Sequence, residues 1–146
     1  MLFEPQIVGS QFALESGEPG ERRLRPRLEG GTKPVDLVYL SRFTLGNAGL
    51  EREVLDLFLT HAPRYLAALR AADTAKAWHD AAHTIKGAAR GIGAWRVGRC
   101  AEAAERIDFG TAHDRRAFCL DLTSEALDEA MGYIMAIRLS GRPVSK

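Results

Sequence analysis

HTIKGAARGIG, residues 83–93, sets a histidine three and four residues ahead of a cation, Lys86, and of a residue with no side chain, Gly87. A second cation, Arg90, follows one helical turn later, and then Gly91 and Gly93. On a helical wheel turning about 100° per residue, Trp78, Ile85 and Ile92 fall opposite His83, flanked by Ala81, Ala82, Ala88 and Ala89. That is the stripe a bundle would bury. His79, Lys86, Gly87 and Arg90 cluster within about 60° of His83, so the histidine points outward. A glycine inside a helix costs roughly 1 kcal/mol relative to alanine, and helix packing does not explain one on the outward face. A neutral imidazole is a nucleophile that can accept a phosphoryl group. Lys86 and Arg90 disfavour a charged ring and offer counter-charges for the phosphoryl group, Arg90 with bidentate geometry. The volume missing at Gly87 leaves room for another protein to reach the ring.

Working outward, the spacing predicts a helix over about 75–91, with Asp73 or Thr74 as its N-cap. Upstream, Pro34 offers a helix start, and Leu37, Leu40 and Phe43 form one apolar face with Gly46 or Asn47 as a stop. A second helix begins near Leu50 and carries Leu50, Val54, Leu57, Phe58, Tyr65, Leu66 and Leu69, with a kink or break expected at Pro63. Downstream, one helix is expected from about Ala94 to Ile107. A turn follows at DFGTAHD. A last helix spans about 114–138, with Phe118, Leu122, Leu127, Met131, Ile134 and Ile137 as its stripe. Trp78 and Ile85 are expected core anchors, and Trp95 belongs either to the core or to the edge of the outward face. Alternating strand patterns and internal repeats are lacking. The expected fold is all-α: an antiparallel four-helix bundle, residues 34–139, with a short extra N-terminal helix. Residues 1–33, broken by Pro and Gly and carrying the basic run RRLRPR at 22–27, read as a flexible tail, and residues 140–146 as a frayed end.

Composition excludes several classes of function. The formal net charge of +1 gives no electrostatic case for nucleic acid or an anionic membrane. No apolar run approaches the ~20 residues of a membrane span. The N-terminus lacks the basic-then-apolar pattern of a secretory signal. Two cysteines without a CxxC, Cys100 and Cys119, suit a reducing compartment and packing roles, so a cytoplasmic location is expected.

AHTIKGAARGIGA resembles the signature of histidine-containing phosphotransfer (HPt) domains: a histidine, two residues, Lys-Gly, then five residues and a glycine. Here these are His83, Lys86, Gly87 and Gly93. VDLVYLSRFTLGN, LDLFLTHAPRYLAAL and RCAEAAE are similar to the other helices of that bundle, over roughly residues 34–138. The resemblance implies a phosphocarrier, not an enzyme, that relays a phosphoryl group between receiver-domain aspartates and from a hybrid histidine kinase. His83 would be phosphorylated, with Lys86, and less uniformly Arg90, steadying the phosphoryl group. His79, Gly87 and Ala94 are assigned to the docking face. No cofactor is expected on this chain, because the receiver supplies the aspartate, the Mg2+ and most of the catalytic groups. A monomer suffices.

Three rival readings fare worse. HDAAH, 79–83, has the i, i+4 histidine spacing of a helical zinc pair, but Asp80 stands where a zinc peptidase needs glutamate, and His61, His113 or Asp56 would have to supply a third ligand. GAARGIG lacks the GK[ST] ending of a phosphate loop and a strand before it. The roughly 110 structured residues are too few to add a kinase's ATP domain to a helical unit. The serious alternative is a helical adaptor that binds a partner through the same face without ever carrying phosphate.

Overall fold

In the computed structural model the described residues are 33–110 and 113–140, so the expected tail and the end beyond Ser140 lie outside them. The chain divides into two units, 1–33 and 34–146, and the helices belong to the second. They are α1 (Leu37–Thr44), α2 (Ala48–Ala71), α3 (Ala75–Gly91), α4 (Trp95–Glu105) and α5 (His113–Ser140).

The first three helices each start at a side-chain cap. Asp36, rather than Pro34, caps α1 by accepting from the Tyr39 N–H at 3.0 Å. The capping carboxylate answers an otherwise unpaired donor, so the helix starts after the proline rather than on it. Leu45, at φ 56°, and Gly46, at φ 77°, end α1 in left-handed conformations. Asn47 then caps α2 through the Leu50 N–H at 2.9 Å. Thr74 caps α3 through the Ala77 N–H at 3.0 Å.

Packing follows a ring in which α2, α3, α4 and α5 each touch the next and α5 returns to α2, with α1 lying on α2. Arg90 meets Glu102 while His83, earlier on α3, meets Glu105, later on α4, so these two helices run antiparallel. The core holds Leu40, Leu55, Phe58, Leu69, Trp78, Ile85, Val97, Leu127 and Ile134, together with eight alanines from α2 to α5. A fully buried Leu or Ile contributes about 1.5–3 kcal/mol. Small residues at Ala81, Ala82 and Ala89 on α3, and at Gly98, Ala101 and Ala104 on α4, let those two helices lie close together.

Three expectations are corrected. The helix runs unbroken through Pro63, whose ring is exposed while Phe58, Ala62 and Leu69 bury the turns around it. Packing on both sides outweighs the lost backbone hydrogen bond. Phe43 and Phe118 are exposed, although both fall on the apolar stripes of their helices. In α2 the buried apolar positions are Leu55, Phe58, Ala62 and Leu69, with Leu50 and Leu57 outside. Trp95 is half-buried at the start of α4, its ring 4.8 Å from Tyr39 and its Nε1 donating to Asp36 Oδ2 at 3.0 Å. A buried carboxylate, Glu51, ties α2 to α1 by accepting from the Thr44 hydroxyl at 2.8 Å.

Candidate functional site

α3 presents the faces the wheel requires. Trp78, Ala81, Ala82, Ile85 and Ala89 are buried, while His79, His83, Gly87 and Arg90 are exposed. The His83 side chain is 65% accessible. Nothing lies within 4 Å of where a Cβ on Gly87 would sit, so the space beside the histidine is open. Gly87→Gln should therefore fold normally and refill that space. Its transfer rate with a receiver should fall about tenfold or more, as expected when an interface must give way to an inserted side chain. An unchanged rate would remove the steric role of Gly87.

The residue that organises the site is one the sequence did not single out, Glu105 at the end of α4. Its Oε2 lies 2.9 Å from His83 Nδ1 and 3.1 Å from His79 Nε2, and its Oε1 lies 2.6 Å from Lys86 Nζ. The side chain is only 12% accessible. Burial pushes this carboxyl up, but the hydrogen bonds from Lys86 and His83, with their charges, outweigh it and hold Glu105 below the usual carboxylate range. A carboxylate has no hydrogen to give, so the imidazole nitrogen hydrogen-bonded to it, Nδ1 of His83, is an N–H donor, while His79 Nε2 stands within ion-pair distance of the same oxygen. His83 thus carries its proton on Nδ1 and turns Nε2 outward. The charge nearest His83 is therefore an anion, not the cation expected from the sequence.

Indole chemistry fixes where α4 ends beneath the histidine. Trp78, in the core of α3, donates from Nε1 to the Ala104 carbonyl at 2.7 Å. That bond pins the residue next to Glu105 and so sets the reach of its carboxylate. Trp78 is braced in turn by Phe109, 6.2 Å between ring centroids, whose face carries the Arg116 guanidinium at 4.0 Å.

The other site residues are placed as follows. Lys86 is close to the histidine, but its ammonium is engaged with Glu105. Arg90 stays on the exposed face and is committed to α4: its stem passes 3.4 Å from where a Gly98 Cβ would sit, and its head meets Glu102 Oε1 at 3.0 Å. Glu102 also holds Arg106, four residues further along α4, at 3.0 Å. Ala94 is corrected: it is fully buried, because Gly93 turns the chain inward at φ 76°, so its side chain is no part of a docking face. Among the described residues no group of three His, Cys, Asp or Glu side chains is arranged to hold a metal ion. His61 stacks on Tyr65 with ring centroids 6.0 Å apart. Cys100 and Cys119 are unpaired and half-buried, and burial pushes their thiols up to about 11 and about 12, which keeps both protonated and unreactive. No helix among the described residues is long and apolar enough to cross a membrane.

The described residues thus place an exposed histidine on a helical bundle, with open space at the glycine one turn further along the same helix. Residues 53–135, more than half of the chain, match the family model of the Hpt domain, and the chain belongs to that family. Hpt domains are phosphocarriers of two-component phosphorelays that interact with receiver domains. No curated protein and no solved structure matches the chain.

Glu105→Ala should slow phosphoryl uptake about ten- to a hundredfold, the usual cost of losing the partner that orients a working histidine. It should also change acid stability. Because the Glu105 carboxyl is held low in the folded chain, its contribution is present above the ordinary carboxylate range and is lost as pH falls through the folded value. Urea unfolding of wild type and variant at neutral and acid pH should show the gap closing as pH falls; a constant gap would discard the coupling.

Proposed function

We propose that His83 carries the phosphoryl group on Nε2, as the intermediate between receiver-domain aspartates and a hybrid histidine kinase in a cytoplasmic phosphorelay. The observation that carries this reading is the Glu105 carboxylate on Nδ1, 2.9 Å away, which leaves the Nε2 lone pair facing solvent on an exposed ring. In the transfer the Nε2 lone pair attacks the phosphorus of an aspartyl phosphate. The N–P bond forms as the P–O bond to the aspartate breaks, and the aspartate leaves as carboxylate. No proton needs to move, since the Nδ1 proton stays on the ring and the positive charge that develops there faces Glu105. Lys86, shared with Glu105, is the cation within reach of the new phosphoryl oxygens. Arg90 serves in the same role after leaving Glu102, which keeps Arg106. The Mg2+ that the reaction uses sits on the receiver, and the chain acts as a monomer without a cofactor of its own.

The test is a transfer assay with phosphorylated receivers from the same genome. Acid-labile, base-stable label should appear on this chain, as it does for phosphohistidine. Absence of label across all of the cell's receivers would overturn the reading and favour the adaptor.

A further inference from the structure

His79 was assigned to the docking face, yet its contact is internal. Its Nε2 lies 3.1 Å from the same Glu105 oxygen that His83 Nδ1 meets at 2.9 Å. The two rings stand nearly parallel, 11° apart, with centroids separated by 6.1 Å. The second carboxylate oxygen is held by Lys86 at 2.6 Å. Three side chains on one helix therefore flank the carboxylate from both ends: His79, within ion-pair distance a turn before His83, and Lys86 a turn after it. A glutamate carboxylate rotates freely about its last torsion. A grip at Oε1 alone fixes one oxygen and leaves the other to swing. The grip at Oε2 from His79 keeps that oxygen on the Nδ1 edge of His83. The other side of the His79 ring faces Asp80 at 3.8 Å, beyond hydrogen-bond range, and Asp80 is itself held by Lys76 at 2.6 Å. The short contact of His79 is thus the one to Glu105.

We propose that His79 is a positioning residue for phosphoryl acceptance, acting on His83 through Glu105 rather than on the docking partner. The inference rests on the phosphocarrier reading and deepens it. With His79 in place, Glu105 holds the Nδ1–H tautomer and Nε2 is the nucleophile. Without it, the carboxylate swings toward Lys86, the ring samples the Nε2–H tautomer, and the nucleophilic lone pair is lost for part of the time.

The experiment uses the full chain and two phosphoryl donors. Phosphoramidate is small and needs no docking surface: Nε2 attacks its phosphorus, the N–P bond of the donor breaks, and ammonia leaves. A phosphorylated receiver needs the surface. His79→Ala should take label from phosphoramidate about tenfold more slowly than wild type, in the range found when an orienting partner is lost. With the receiver its kcat should fall and its KM should stay constant. His79→Gln, whose terminal amide can still donate to Glu105, should restore most of the rate. In the 15N spectrum of the neutral His83 ring, wild type should show the Nδ1–H form and His79→Ala a mixture. Normal labelling of His79→Ala by phosphoramidate, with a raised KM for the receiver, would return His79 to the docking face and overturn the inference. So would a His83 ring that stays wholly in the Nδ1–H form in that variant. A wild type that takes no label from either donor would overturn the phosphocarrier reading itself, whereas a labelled wild type beside an equally labelled His79→Ala would overturn only the role of His79.

Discussion

His83→Gln is expected to abolish phosphoryl uptake while leaving the bundle intact. The side chain is 65% accessible and its one short contact is to Glu105. Glutamine places a terminal amide near the same carboxylate, so an N–H donor is retained where Nδ1 gave one. Substitutions at such exposed positions change stability by about 0.5 kcal/mol or less. What glutamine lacks is a nucleophilic lone pair, because the amide nitrogen is delocalised into its carbonyl. The expected result is no acid-labile label from any phosphorylated receiver, with thermal unfolding within about 3 °C of wild type. Label persisting at the wild-type level would move the carrier role elsewhere, and His79, 55% accessible beside the same carboxylate, would be the next residue to replace. Loss of label accompanied by a large fall in melting temperature would mean that the His83–Glu105 contact is structural, and the assignment of His83 as carrier would then need the site of label mapped directly.

The site was legible in the sequence where its causes are local. Helical geometry alone places His79, His83, Gly87 and Arg90 on one face and Trp78 and Ile85 on the other, and the bounds of α3 agree with those read from Thr74 and the apolar spacing. The family resemblance supplied what geometry does not, the meaning of the outward histidine. Glu105 escaped because it is distant in sequence and sits in a run of small and acidic residues, RCAEAAE, where nothing marks one glutamate from another. A signal did exist. His83 and Glu105 lie equally far, eleven residues, on either side of Ala94, so an antiparallel pair of helices folded about that point brings them together. Using it requires knowing where the turn is centred, which Gly93 hints at without proving. The errors in α2 and at Phe43 and Phe118 have another origin. A stripe on a long helix faces different neighbours along its length, and only tertiary packing decides which apolar residue is covered. Pro63 shows the same override: a local rule predicts a kink or a break, and burial on both sides of the residue keeps the helix continuous through it.

The two glycines of the signature should respond to alanine with opposite signs. Gly87 lies inside α3, in ordinary helical conformation, with open space where a Cβ would be. Alanine there lowers the backbone entropy of the unfolded chain and should stabilise the bundle by about 0.5–1 kcal/mol. Gly93 differs in every respect. Its φ is 76°, a region that L side chains seldom adopt, and a Cβ on it would lie 2.8 Å from Asp36 Cβ and 3.0 Å from the Asp36 carbonyl oxygen. Asp36 cannot retreat cheaply. Its own N–H donates to the Gly93 carbonyl at 2.9 Å, its Oδ1 caps α1, and its Oδ2 holds the Trp95 indole. Left-handed strain costs about 1–3 kcal/mol and overpacking a similar amount, so Gly93→Ala should destabilise by about 3 kcal/mol. In a domain of this size that is a fall of roughly 10 °C or more in melting temperature. Thermal unfolding followed by circular dichroism decides it. Equal melting temperatures for the two alanine variants would sink the account, in which the glycine beside the histidine serves access by a partner and the later one serves the clasp between α1 and the turn before α4. A loss at Gly93, set against a gain at Gly87, would show one signature holding two unrelated requirements: room outside the bundle for a partner, and room inside it for its own backbone.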